Sequence, residues 1–223
     1  MKKEETPLQP LKFEKITRQE SQKRALAFYD LLKKRRTVRH FSKKKIPDTV
    51  IENSIKAAGT APSGAHKQPW HFCVVKNPEL KHKIRIAAEN EEKQNYESRF
   101  SDSFKQDLAK FETSFVKEFI DDAPVIIVVF KETYQLRNGV QYRNYYVNES
   151  VGIASGILIA ALHNAGLATL PHTPNPMKFL NGILERPGNE SPILLMPVGY
   201  PVDNAKVPDI KRKPFWEIMH IYE

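Results

Sequence analysis

Residues 35–39 read Arg-Arg-Thr-Val-Arg, a spacing of cations that could do chemistry. In an extended segment alternate side chains share a face, so Arg35, Thr37 and Arg39 point together. Two planar guanidinium forks and a hydroxyl suit a ligand with a phosphate and several carbonyl or hydroxyl oxygens. Arg212, in the Lys-Arg-Lys-Pro run near the end of the chain, is a candidate to complete the same phosphate site. Taken alone, the run reads better as solvated charge. A second stretch, APSGAHKQPW at 61–70, sets small residues between prolines just ahead of the apolar run Phe72–Val75. It is either a surface turn or a loop where Gly64 and Ala65 let a flat ligand approach exposed N–H groups.

Much familiar chemistry is missing. No phosphate-binding G-x-x-x-x-G-K-[ST] loop, dinucleotide G-x-G-x-x-G, nucleophile G-x-S-x-G or zinc H-E-x-x-H occurs. The seven histidines show no metal-ligand spacing, so no metal is expected. Cys73 is the only cysteine, which excludes an intrachain disulfide and a redox thiol pair. Any redox work must come from a bound cofactor.

With 223 residues, 40% hydrophobic and 27% charged, the chain has the length and composition of one ordinary globular domain. The formal charge of +9 is concentrated at 33–45 and 211–213. A nucleic acid is one partner that such charge would attract, but no aromatics interleave with the basic runs as a stacking platform needs. A small phosphorylated ligand accounts for the clusters at least as well. The start has no apolar signal segment, and the longest apolar run, 153–162, is too short to span a bilayer. A cytoplasmic protein without membrane or nucleic-acid partners is the expectation.

Elements follow from periodicity. Residues 1–20 read as an extended arm. Thr17 and Glu20 have capping-box spacing, and Ala25, Phe28, Tyr29 and Leu32 mark a helix to about residue 34. Asp48 behind Pro47 is expected to cap a second helix that Gly59 stops. Strands are predicted at 70–75, 123–130, 167–170 and 193–198, the second buried on both faces. Helical patterns cover 81–100 and 145–165, and in the latter Gly152 and Gly156 predict close approach of another helix. Residues 89–114 are charged and poor in aliphatics, which leaves a solvated helical hairpin or a lid that closes on a ligand. Strands separated by helices give an α+β, three-layer domain from residue 21 to 223.

In order along the chain, RRTVRHF, APSGAHKQPW, NESVGIASGILIAALHNAGL, NAGLATLPHTPNP, LERPGNESPILLMPVGYP and VPDIKRKP resemble the FMN-dependent nitroreductase superfamily, and most closely its iodotyrosine deiodinase branch. The resemblance runs from about residue 22 to the C-terminus. It implies a nitroreductase-like α/β/α sandwich with a mainly antiparallel mixed sheet, a homodimer and two FMN sites at the subunit interface. It implies that Arg35, Arg36, Thr37 and Arg39 contact the flavin and its phosphate with help from Arg212, and that Pro62, Ser63 and Gly64 come from the other subunit. His172 and Thr173 would lie at the flavin, with the Thr173 hydroxyl on its N5, favouring one-electron over hydride chemistry.

The resemblance also gives the charged segment a role. Glu92 and Tyr96 share a helical face at i and i+4, and Lys117 follows the segment. By residue type alone the three read as surface charge. In the deiodinase branch the matching positions bind a zwitterionic amino acid, with Glu92 on the ammonium, Lys117 on the carboxylate and Tyr96 hydrogen-bonded beside them. The Ala65 N–H would hold the phenolate oxygen. The implied reaction is reductive dehalogenation of halotyrosine, and the rival within the superfamily is NAD(P)H-dependent reduction of nitro compounds or quinones. The electron donor, NAD(P)H through a reductase or a small redox protein, is left open. Animal members of the branch carry a membrane anchor ahead of this domain, and residues 1–20 do not read as one.

Overall fold

The computed structural model describes residues 8–111 and 113–223. They form two compact units, one ending at Arg35 and one running from Arg36 to Glu223. In the first, helix α1 (Arg18–Leu32) opens at Thr17, whose hydroxyl accepts from the Glu20 N–H at 3.2 Å. That bond satisfies one of the orphan donors of the first turn, as the spacing predicted. None of the helix is buried, and Leu26, Phe28 and Tyr29 are exposed. Residues 1–7 of the expected arm lie outside the described residues.

The second unit contains, in order, α2 (Asp48–Ala58), β1 (Trp70–Val75), α3 (Pro78–Gln94), α4 (Asp102–Ala109), α5 (Phe119–Asp122), β2 (Val125–Glu132), the hairpin β3 (Tyr134–Arg137) and β4 (Val140–Arg143), α6 (Val147–Asn164), β5 (Ala168–Thr169), α7 (Phe179–Ile183) and β6 (Glu190–Gly199). The main sheet has the order β1-β2-β6-β5, with every strand pair antiparallel. A parallel bridge from Thr37 to Thr169 adds the basic segment at its edge, which makes the sheet mixed.

β2 explains the three layers. Side chains alternate across a strand, so Ile126, Val128 and Phe130 face one side and Val125, Ile127 and Val129 the other. The first set packs with Ile84 and Ala88 of α3, Phe119 and Ile120 of α5 and Leu180 of α7. The second packs with Ile51 and Ala58 of α2 and with Val151, Leu158 and Leu162 of α6. Each buried aliphatic side chain contributes about 1.5–3 kcal/mol. Two apolar faces on one strand therefore require helices above and below it.

Several expectations shift. The strand predicted from Ala123 begins at Val125, because Pro124 has no N–H for the ladder and the Ala123 carbonyl accepts from Lys81 Nζ at 2.6 Å. Asp48 does not cap α2. It is the first helical residue, and its carboxylate pairs with Lys76 at 2.5 Å. A Cβ at Gly152 or Gly156 would meet nothing within 4 Å, so among the described residues no helix of this chain makes a close approach at those glycines. Gly199 does need to be small: a Cβ there would lie 2.8 Å from Pro124 Cδ and 3.0 Å from Phe41 Cδ1. Among the described residues, no helix is long and apolar enough to cross a membrane, and no cluster of three metal-ligating side chains occurs.

Candidate active site

A cavity of about 640 Å³, in the size range of small-molecule sites, opens beside the segment 36–40. The Thr37 backbone runs along β5, and the Val38 N–H donates to Thr169 O at 3.3 Å. That extended course turns Val38 into the protein, while Thr37 and Arg39 line the cavity as the alternation predicted. The Arg36 guanidinium donates to the Pro208 carbonyl, tying this segment to the stretch Lys206–Asp209, which also lines the cavity. Arg212 follows three residues later and is exposed. Arg35 ends the N-terminal unit, with its N–H on Leu32 O.

Arg39 carries the electrostatics. Its guanidinium is half-buried over the Phe111 ring at 5.9 Å, and it has no carboxylate partner among the described residues. Burial pulls its pKa down from the ordinary arginine value. A desolvated cation without an anion is costly, and it is the donor a phosphate or an electron-rich ring edge would satisfy. The donor set therefore fits FMN, an anion with a flat, carbonyl-rich ring.

The roof comes from the charged segment. α3 continues past residue 89, with Ala88 and Glu92 both buried, so the first part of the expected lid belongs to the scaffold. After Gln94 the chain makes a π-helical turn, Asn95–Arg99, and then the exposed α4. Residue 112, inside the expected lid, lies outside the described residues. The π-turn is held by Asn95, a buried residue that the sequence reading passed over. Its amide donates to Asn175 O at 2.8 Å. Tyr96, Phe100 and Phe104 stack edge to face along the turn, at 5.4 and 4.8 Å.

Glu92, Tyr96 and Lys117 are brought together. Lys117 Nζ lies 3.1 Å from Glu92 Oε2, with both side chains under 10% exposed. The ammonium also donates to Ser114 O at 2.5 Å and sits 5.9 Å from the centre of the Tyr96 ring. The Tyr96 hydroxyl donates to Thr113 O at 3.2 Å. Thr113 and Ser114 line the cavity. Burial lowers the Lys117 pKa, an effect that Glu92 opposes, and burial raises that of the Tyr96 phenol. Glu92 and Lys117 are thus a buried ion pair behind the cavity wall with the partly buried Tyr96 beside it, not the surface charge that their residue types suggest.

His172 and Thr173 diverge. His172 pairs with Leu195 through the backbone, and its ring stands edge-on to Phe119 at 5.6 Å. Its Nε2 is buried without a hydrogen-bond partner, although the residue as a whole is partly accessible. Burial, with Lys117 and Arg39 nearby, lowers the ring's pKa to about 3. The unfolded chain takes up a proton near pH 6.5 and the folded one only near 3, so this group's contribution to stability is complete above 6.5 and lost on acidification between those values. Apoprotein should therefore lose up to about 1.4 kcal/mol per pH unit over that window, and His172→Asn should flatten the slope in urea titrations at pH 7 and 5. Equal slopes would show that the ring is not held neutral. Thr173 is exposed and lines a separate cavity of about 760 Å³ with Met177, Arg186 and Glu190.

The loop with Pro62, Ser63, Gly64 and Ala65 does not line the Arg39 cavity within one chain. Gly64 is small for an internal reason: a Cβ would lie 2.9 Å from Tyr145 O and 2.6 Å from the Tyr146 ring. The Ser63 hydroxyl accepts from the Gln68 N–H at 2.9 Å, and Ala65 is left-handed at φ 49°, exposed at the tip of the turn.

Comparison with known proteins agrees with the fold. Residues 32–200 match the family model described as Nitroreductase family. The chain is 54% identical over 196 residues to an iodotyrosine deiodinase of Haliscomenobacter hydrossis, covering 87% of this chain and 88% of the relative. It is 50% identical to human iodotyrosine deiodinase 1 over 88% of this chain and 69% of the relative. Among solved structures it matches an oxidized iodotyrosine deiodinase bound to FMN and 3-iodo-L-tyrosine, with a TM-score of 0.77, 35% identity, and coverage of 88% of this chain and 98% of that one. A BluB-like flavoprotein of Clostridium difficile matches with a TM-score of 0.66 and 25% identity over 87% of this chain and 98% of that one. By sequence and by fold the chain belongs to the iodotyrosine deiodinase branch of the nitroreductase family.

Proposed function

We propose that this protein is an FMN-dependent oxidoreductase that removes halide from halotyrosines, converting 3-iodotyrosine to tyrosine and iodide. The observation that carries the reading is the buried Glu92–Lys117 pair with Tyr96 beside it, adjoining a cavity lined by Arg39, which has no carboxylate partner among the described residues. A reductase of nitro compounds or quinones has no use for a buried carboxylate and ammonium at that place. A zwitterion does, because its two charges can each replace one partner of the pair.

FMN, when bound, supplies the two electrons that, with one proton, turn a carbon–halogen bond into carbon–hydrogen and halide. Arg36, Thr37 and Arg39 would hold its phosphate and ring edge, Arg212 would assist at the phosphate, and the Thr173 hydroxyl would donate to the flavin N5. The protein's own contribution is orientation and charge. Glu92 receives the substrate ammonium, Lys117 its carboxylate, and Tyr96 hydrogen-bonds beside them. The Ala65 N–H holds the phenolate oxygen.

One feature of this reading points to a second copy of the chain. The loop with Pro62, Ser63 and Gly64 does not line the Arg39 cavity in one chain, and a homodimer would supply it from its partner. Exposed apolar residues, among them Ile153 on α6 and Phe215, Trp216 and Ile221 near the C-terminus, support such an interface. The electron donor is NAD(P)H acting through a reductase, or a small redox protein.

The test is direct. Purified protein should be yellow with an FMN spectrum and, once reduced with dithionite under anaerobic conditions, should release iodide from 3-iodotyrosine. Rapid turnover of nitroaromatics without iodide would instead favour the general reductase.

A further inference from the structure

The two charges that grip the amino acid belong to segments far apart in sequence, and only one of them stands on a regular element. Glu92 is fixed by α3, whose Ile84 and Ala88 are anchored in the core. Lys117 ends the irregular stretch after α4, and the four rotatable bonds of a lysine do not by themselves choose a position. Something must place its backbone.

One face of α3 does so, turn by turn. Lys81 Nζ donates to the carbonyls of Asp121 and Ala123, at 2.9 and 2.6 Å. Arg85 donates through Nη1 to Asp121 Oδ2 at 3.0 Å and through Nε to Glu89 Oε1 at 2.7 Å. Glu89 Oε1 accepts the backbone N–H of Lys117 at 2.7 Å. Glu92 then meets the Lys117 ammonium. The side chains of Arg85 and Glu89 are only 20% and 16% exposed, so this ladder is largely shielded from competing water. Lys81, Arg85, Glu89 and Glu92 thus form one polar stripe that clamps residues 117–123 to the scaffold.

We propose that Glu89, held by Arg85 and through it by Asp121, is a positioning residue for substrate recognition. It touches neither flavin nor substrate. By binding the Lys117 N–H it sets the distance between ammonium and Glu92, and so the span that an α-amino acid head group must match. The inference rests on the deiodinase reading and identifies what holds its substrate grip in register.

The experiment compares Glu89→Ala, Glu89→Gln, Lys117→Ala and the Glu89→Ala/Lys117→Ala double variant as FMN-loaded enzymes, measuring iodide release from 3-iodotyrosine. Glu89→Ala should raise KM about tenfold, as expected for losing a charge-assisted hydrogen bond, with most of the loss in KM rather than in kcat per bound flavin. Glu89→Gln keeps an acceptor oxygen and should recover most of the difference. In the Lys117→Ala background the same change should add little, because the residue acts through Lys117. An additive cost, or a loss carried by kcat and flavin content alone, would overturn the proposal while leaving deiodination standing. If Glu89→Ala does not fold, the KM of Glu89→Gln against Arg85→Gln decides: Arg85→Gln should raise KM about threefold and unchanged KM in both would overturn it. A wild-type enzyme that releases no iodide would sink the deiodinase reading and this inference together.

Discussion

Lys117→Ala is expected to lower kcat/KM for 3-iodotyrosine by at least about a hundredfold, most of it in KM, since the substrate carboxylate would lose a charge-assisted partner in a shielded site. The same substitution leaves Glu92 buried at 6% exposure without its cation. An uncompensated buried charge costs about 3–5 kcal/mol, so the variant should also melt earlier. The two effects separate in the double variant Glu92→Gln/Lys117→Met. Replacing both charges with groups of similar volume removes the stranded carboxylate and should restore much of the lost stability, yet it cannot restore zwitterion binding. Thermal melts and Michaelis curves on the two proteins check this. A Lys117→Ala protein with wild-type KM would show that the head group binds elsewhere.

Arg39→Ala carries two opposite expectations. FMN affinity should fall about ten- to a hundredfold, the range for losing hydrogen bonds to a charged group, and the preparation should turn pale. The apoprotein should not become less stable by a comparable amount, because the guanidinium is half-buried, its pKa is lowered by desolvation, and it has no carboxylate partner among the described residues. Losing it removes a desolvated charge as well as its contact with the Phe111 ring. Flavin titration by absorbance and urea unfolding of apoprotein measure the two sides. If both FMN affinity and apoprotein stability collapsed, Arg39 would be a structural residue rather than a ligand-binding one.

Where a signal is local, it is readable in the amino-acid order. The Thr17 cap, the doubly buried β2 and the common orientation of Thr37 and Arg39 each follow from bonds or alternation within a few residues. One local signal was legible and missed: Asn138-Gly139, both at positive φ, is the preferred two-residue turn of a β-hairpin, and it joins β3 to β4. The three-layer class was accessible because a strand buried on both faces demands helices on both sides.

The state of the site is a different matter. Residue types at 92, 96 and 117 say surface, and only the packing of α3 against residues 113–123 makes Glu92 and Lys117 a buried pair, with Lys117 and the partly buried Tyr96 bonded to the Ser114 and Thr113 carbonyls. Likewise Gly64 owes its size to Tyr145 and Tyr146, Asn95 its burial to Asn175, and Lys117 its place to Glu89. Periodicity reports which face of an element avoids water, averaged along its length. It carries no record of which distant segment arrives there, and that arrival decides whether a charge is solvated, paired or waiting for a ligand.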